Sequence, residues 1–519
     1  MSKYLYGAAV QGIQDFIFKT NNLKEIVGAS VLIEDICTDV FAKQLSYNNF
    51  DEMEDDSNAI LNAAGNIKYV FNDKEKCQKV FLEFPKKVSE SAPGITFSQA
   101  VVEFEDSDNF STIVDELERR LRKERNRPTQ PLTIGLMGIQ RSRETGLPER
   151  WHTNMPFFDE GTYQKLMALE SDKRAESSLR KKAMGDLLKD TMFGDTDNIS
   201  FFSGDNNWIA IIHADGNGLG QVVKRIGETD KGGKDFHTFS NLLNKATIAS
   251  AQEAVQKALD LFKGKEKDKE KTSKFFPFRP IVLGGDDLTV IIRGDLAIEF
   301  TKNFLTGFER NTKNYFAELA EKYTLLRYGL TACAGIAFIK SSFPYYYGYR
   351  LAESLCQAAK DDTKKEGRDK IKSCLMFHKV QDSFVESYKE IINRELTTPD
   401  GHSFNYGPYY LDNSGLNSDK RWTIAELMDA CEIFETGENG NALRSDIRQW
   451  LSAMMEFGGT EKAKQLKERL LSINTENTDW TDKLTNESVR NVKANEQIFA
   501  SPAYDVLSLH SIIYQQIKD

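Results

Sequence analysis

The chain opens on an apolar block, YLYGAAVQGIQDFIF from Tyr4, that predicts a strand. Residues 60–71, ILNAAGNIKYVF, place two apolar runs around a small-residue turn, the pattern of a β-hairpin. GITFSQAVVEF then predicts another strand, and STIVDELERRLRKE, apolar at three- and four-residue spacing, predicts a helix. The same order returns after residue 200. WIAIIHADGNGLGQVV from Trp208 predicts the first strand, IVLGGDDLTVII at 281–292 the hairpin, LTACAGIAFI the next strand and YRLAESLCQAAK its helix. Within this second copy, FSNLLNKATIASAQEAVQKALDLF keeps one apolar face, as a helix packed on a sheet does. A repeat of this kind decides the architecture. Two tandem α+β units are expected, each with helices on one face of a mainly antiparallel sheet.

The pattern also marks boundaries. The first copy is expected at 1–126, a connecting module with Pro128, Pro131, Gly146 and Pro148 at 127–200, and the second copy at 201–385. Residues 263–274, KGKEKDKEKTSK, predict a solvated loop. From 386 to 519 the strand pattern fades. There Thr423 and Glu426 predict a capping box, and LRSDIRQWLSAMMEF and KAKQLKERLLSI have helical periodicity, so this part is expected to be a helical domain.

Composition narrows the function classes. Of 519 residues, 40% are hydrophobic and 28% charged, enough to bury several cores. No apolar run approaches the roughly 20 residues that span a bilayer, and the N-terminus lacks signal-peptide features, so a cytoplasmic protein without a membrane partner is expected. A net charge of −10 disfavours a duplex-coating protein, while leaving room for a local basic groove. The six cysteines form no CxxC pair and are expected to be buried small hydrophobes.

Chemistry concentrates in the second copy. In LGGDDLTV, Asp286 and Asp287 sit at the turn of an apolar hairpin, and Gly284 and Gly285 leave the backbone open to phosphate. Asp215 ends the strand expected beside that hairpin. Carboxylates on adjoining strands suit two Mg²⁺ or Mn²⁺ ions that activate an attacking hydroxyl and stabilise an in-line displacement at the α-phosphate of ATP or another NTP. Gly216, Asn217 and Gly218 follow as flexible backbone near a helix start, a second place for phosphate. His213 and His378 lie in apolar strands and are expected to be packed or hydrogen-bonded. The aromatic cluster FPYYYGYR at 343–350 is expected to be core and helix-start packing, with base stacking as the alternative.

The GGDD hairpin, the Asp215 strand, AESLCQAAKDD (352–362) and SCLMFHKV (373–380) resemble the catalytic palm of the large polymerase/cyclase subunit of type III CRISPR effectors, a relative of the GGDEF diguanylate cyclases. QGIQDFIFKTNNLKEIVGAS (11–30) resembles the opening of the first, non-catalytic palm of the same subunits. The resemblance implies two tandem ferredoxin-like palms, the first degenerate, and a metal-dependent nucleotidyltransferase making cyclic or short oligonucleotide signals in antiviral defence. It also implies that Lys360 and Lys364, four apart after AAK, contact triphosphate. RNA, CRISPR-type companion subunits or a second copy of the chain are the partners it brings in.

There are three departures. No HD nuclease domain is expected before the first palm; the linker 138–152 has no Cys to bind zinc; and GGDD argues against a guanylate-specific cyclase. Aligning the copies puts Gln11, Gly65 and Asn66 at the places of Asp215, Asp286 and Asp287, so the first palm is expected to be structural. The alternatives are an RNA-binding scaffold subunit of a CRISPR-type ribonucleoprotein and a stand-alone diguanylate cyclase.

Overall fold

A computed structural model describes residues 2–54, 56–63, 65–105, 107–127, 138–152, 157–172, 179–189, 207–230, 233–266, 276–364, 371–382, 387–414, 421–437, 439–473, 478–486, 488–493 and 496–514. Of the sequence expectations, Pro128, Pro131 and parts of the connecting module fall outside these residues, as does 267–274 of the charge run; Lys263 to Glu266 continue a helix.

The opening apolar block is strand β1 (Lys3–Gln11). It leads into helix α1 (Leu23–Asp35), whose N-cap Asn22 accepts from the Lys24 amide at 3.1 Å. The first hairpin is β2 (Ala59–Ala63) and β3 (Asn66–Phe71), followed by α2 (Lys74–Ser91), β4 (Thr96–Phe104) and α3 (Phe110–Arg125). Their sheet runs β2-β3-β1-β4, with every pair antiparallel. After a connection that includes α4 (Glu160–Asp172), the second unit comprises β5 (Trp208–Gly216), α5 (Leu219–Thr229), α6 (Lys234–Glu266), the hairpin β6 (Phe278–Gly284) and β7 (Asp287–Arg293), α7 (Ala297–Tyr315), β8 (Ala332–Lys340) and α8 (Tyr345–Thr363). Its order β6-β7-β5-β8 repeats that of the first sheet. The duplication visible in the apolar pattern is thus a duplication of ferredoxin-like topology. Strand β9 (Cys374–Lys379) adds parallel to β8, and β10 (Tyr409–Tyr410) pairs with β9, so this sheet reaches past residue 385.

Strand alternation divides the second sheet into two buried faces. Ala210, Ile212, Ala214, Leu288 and Val290 pack with Phe262, Phe304 and Phe308 of α6 and α7. The opposite face, with Ile209, Ile211, Ile281 and Ile291, shares a core with Ile26 and Ile33 of α1 and Leu355 of α8. The first unit therefore lies over the second sheet, and the Ser30 hydroxyl of α1 bonds the Ile281 carbonyl of β6.

The C-terminal region holds α9 (Ile424–Thr436), opened by the Thr423–Glu426 capping box, then α10 (Gly440–Met454), α11 (Gly459–Ile473) and α12 (Thr478–Thr485). A hairpin, β11 (Ser488–Lys493) and β12 (Glu496–Ala500), precedes α13 (Ala503–Ile513). Phe434 and Trp450 are buried in the core that includes the second sheet, with Trp422 at its margin. They form no exposed apolar patch. Among the described residues no helix is long and apolar enough to cross a membrane.

One contact fixes where α8 sits. A Cβ on Gly335 of β8 would lie 1.9 Å from the Ala352 carbonyl oxygen and 2.5 Å from the Cys356 amide, so backbone touches backbone. Gly335→Ala is expected to cost about 1–3 kcal/mol, the usual penalty for overpacking, and to lift α8 off the sheet. Chemical denaturation measures it; an unchanged midpoint would show that the helix yields freely.

Candidate active site

Because side chains alternate along β5, His213 and Asp215 share the face that looks toward the first unit. Ala214 pairs with Leu288 and His213 with Thr289, which sets Asp287 across from Asp215 at the end of the sheet. Gly284 pairs with Asp287, leaving Gly285 and Asp286 as a two-residue turn. Gly285 takes φ 63° at its first central position, where a tight hairpin of this kind needs glycine. Asp286 folds over Gly216, where a Cβ would come within 3.0 Å of its Oδ2. The Asn217 amide donates to the Thr331 carbonyl at 2.8 Å and its Nδ2 to the Thr331 hydroxyl at 3.1 Å. Gly218, at φ 72°, then starts α5.

The last turn of α8 supplies the counter-charge. Lys360 Nζ pairs with the Asp215 carboxylate and donates to the Gly216 carbonyl at 2.8 Å, with its side chain only 11% exposed. Lys364, at the position that ends α8, is exposed and makes no bond to the acids among the described residues. The structure therefore brings together Asp215, Asp286, Asp287, Lys360 and the glycines 216, 284 and 285, and leaves Lys364 outside.

Three carboxylates and one ammonium leave excess negative charge in a poorly solvated place. Burial, the Asp287 charge and the bond to Asp215 push Asp286 up to about 8. Burial and the Asp215 charge push Asp287 up to about 7, against the pull of Lys360. Burial also opposes ionisation of Asp215, but hydrogen bonds from Asp286 and Lys360 hold it below the ordinary carboxylate value. Hard oxygen donors crowded until two of them resist ionisation fit a divalent cation, which would relieve the repulsion.

The sign of the pH effect follows. With folded pKa values above the unfolded 3.8, the contribution of Asp286 and Asp287 to stability is fully present below 3.8 and is lost as pH rises through about 7 and 8. The metal-free chain is expected to melt lower at about pH 8.5 than at about pH 6, Asp286→Asn to flatten that slope, and Mg²⁺ or Mn²⁺ to restore the melting temperature. Equal slopes in variant and wild type, by circular dichroism, would contradict the crowding.

His213, expected from the sequence to be packed or hydrogen-bonded, is hydrogen-bonded to Thr289 and also stands with the acids. One ligand atom each from His213, Asp215 and Asp287 lies within 4.8 Å of the others. Its position two residues before Asp215 on a strand was the available signal. Burial lowers its imidazolium to about 4, so the ring is neutral near neutral pH. His378 is buried with Nε2 3.7 Å from Glu395, as a packed histidine is. In the aromatic cluster, Tyr345 and Tyr349 are buried, and Tyr349 stacks on Phe18 of the first unit at 4.7 Å. Gln14 of that unit donates to the Tyr349 hydroxyl at 3.2 Å. All six cysteines are free and buried.

In the first unit the register differs from the sequence alignment. Asn66 pairs with Ala9, two positions before Gln11, and a Cβ on Gly65 would meet Ile13 Cδ1 at 2.7 Å. Ala9, Val10 and Gln11 are all uncharged, so the shift supplies no acid to the place of Asp215.

Residues 208–372 match the family model of the Cas10/Cmr2 second palm domain. No curated protein matches the chain. Among solved structures, the Csm1–Csm4 cassette in complex with cA3 aligns with a TM-score of 0.56 at 12% identity, over 99% of this chain and 70% of the other. The same cassette with AMPPNP gives 0.54 at 13% identity, over 99% and 70%. The Csm1–Csm4 subcomplex of the type III-A CRISPR-Csm interference complex gives 0.50 at 13% identity, again over 99% and 70%. At these identities the structural likeness establishes the fold. Residues 208–372 thus match the Cas10/Cmr2 second palm domain, and the chain as a whole has a Csm1-like fold.

Proposed function

We propose that the chain is a divalent-metal-dependent nucleotidyltransferase that joins ATP or other NTPs into cyclic or short linear oligonucleotides as an antiviral signal. The observation that carries this reading is the convergence of Asp215, Asp286, Asp287 and Lys360 at one end of the second sheet. Asp215 and Asp287, joined by Asp286, would hold Mg²⁺ or Mn²⁺. Bound there, the ion supplies activation of the attacking hydroxyl and stabilisation of charge at the α-phosphate. The chain's own residues bind and orient. Gly284, Gly285 and Gly216 keep side chains away from the hairpin and the strand end, so that phosphates reach backbone. Asn217 and Gly218 set the amide-rich start of α5 beside the acids. Lys360 presents an ammonium that a triphosphate can share with Asp215. The first palm, uncharged where the second is acidic, frames the pocket. The Csm1 relatives were crystallised with Csm4, which supports a companion subunit of that kind here.

The test is a panel of ATP, GTP, CTP and UTP, singly and mixed, incubated with the chain, Mg²⁺ or Mn²⁺ and RNA, and read by mass spectrometry. Oligonucleotide products containing adenosine are expected. GTP converted alone would instead identify a diguanylate cyclase. A folded chain that consumes no triphosphate, with or without RNA and companion subunits, would leave a scaffold role.

A further inference from the structure

His213 has no part in the transfer described above, yet one of its ring nitrogens stands among the carboxylate oxygens of Asp215 and Asp287. We propose that His213 is a nitrogen ligand of the divalent ion held by Asp215 and Asp287, making a mixed site that takes Mn²⁺ or another first-row transition ion ahead of Mg²⁺. This rests on the metal-dependent reading of the site and adds a donor to it. Strand alternation puts His213 and Asp215 on one face, and cross-strand pairing brings Asp287 beside them. Ligand atoms of the three lie mutually within 4.8 Å.

The ring is also held as a ligating ring is held. Nδ1 lies 3.1 Å from the hydroxyl of Thr289, its direct cross-strand neighbour, and Tyr349 meets the ring edge-on at 5.7 Å. Nε2 has no hydrogen-bond partner among the described residues. An imidazole fixed by a hydrogen bond between Nδ1 and the Thr289 hydroxyl, with one ring nitrogen within 4.8 Å of carboxylate oxygens of Asp215 and Asp287, resembles the support that metal-bound histidines receive. A cavity of about 70 Å³, lined by His213, Asp287, Thr289, Gln14, Glu34 and Tyr349, adjoins them and gives room for water that a hydrated ion brings. Mg²⁺ prefers oxygen donors, whereas imidazole favours transition ions, so replacing one oxygen by nitrogen changes which ion the site selects.

The experiment loads the full-length chain with Mn²⁺ alone, without nucleotide, and records pulsed electron paramagnetic resonance. A ¹⁴N coupling is expected, replaced by a ¹⁵N coupling when the chain is grown on ¹⁵N-histidine; this measurement needs no variant. His213→Asn is expected to abolish the coupling and weaken Mn²⁺ binding at least about tenfold, while Mg²⁺ binding changes by less than about twofold. Mn²⁺ that binds through Asp215 and Asp287 without nitrogen coupling would overturn the proposal and leave the carboxylate site standing. Mn²⁺ that does not bind, or binds equally to Asp215→Ala, would overturn both.

Discussion

Turnover of nucleoside triphosphates is expected to fall at least about 10²-fold in Asp215→Ala and in Asp287→Ala, with the fold intact. Each carboxylate ends a strand whose position is set by the backbone ladder of β5 and β7 and by buried Ile212, Leu288 and Val290, not by the acid itself. Truncation therefore removes charge from the reacting end without loosening the sheet. In Asp287→Ala the melting temperature should hold or rise near pH 8, because the folded chain resists ionising Asp287. In Asp215→Ala it should fall, because Lys360 loses the partner that keeps its buried ammonium charged. At Asp287 a gain in stability with a loss of turnover separates a functional cluster from a structural one, since structural ion pairs lose both. The measurement is triphosphate consumption by chromatography, under whatever condition activates the wild type, beside thermal melts. Unchanged turnover in a folded Asp286→Ala/Asp287→Ala double variant would end the acidic mechanism.

Much of this arrangement is legible in the residues, for identifiable reasons. Apolar runs around small-residue turns expose both hairpins, and their repetition in one order predicts two tandem units, whose sheets share the order β2-β3-β1-β4 and its counterpart β6-β7-β5-β8. Asp215 and the GGDD turn stand out because charge interrupts apolar strands. What the sequence hides depends on register and on long-range packing. An offset of two positions between Asn66 and Gln11 is invisible to a gapless alignment of two short segments. Phe434 and Trp450 have the composition of a docking patch as well as of a core, and only tertiary packing on the second palm decides for the core. His213 is hidden differently: on a strand, a lone histidine among isoleucines reads as packing until its neighbour two positions on is known to face the same way.

Lys360 and Lys364 carry the second large effect, because the sequence treats them alike and the structure does not. Four-residue spacing would put both on one helical face, but α8 ends at Thr363, so Lys364 leaves the helical path while Lys360 turns inward to Asp215. Burial disfavours the Lys360 ammonium, yet the Asp215 bond outweighs it and holds the lysine charged. An ammonium kept charged inside the site is available to an incoming polyphosphate at no cost in protonation. A hydrogen bond to a charged group is worth about 1.5–3 kcal/mol, so Lys360→Ala is expected to lower kcat/KM for NTP by about 10- to 100-fold. Lys360→Arg should recover part of it, limited by the space beside the Gly216 carbonyl. Lys364→Ala should leave kcat/KM within about twofold, as an exposed cation beyond the helix end would. Steady-state kinetics on the three variants decide the matter. Equal losses at 360 and 364 would mean that triphosphate draws the end of α8 into the site, and no loss at 360 would make its pairing with Asp215 a structural bridge alone.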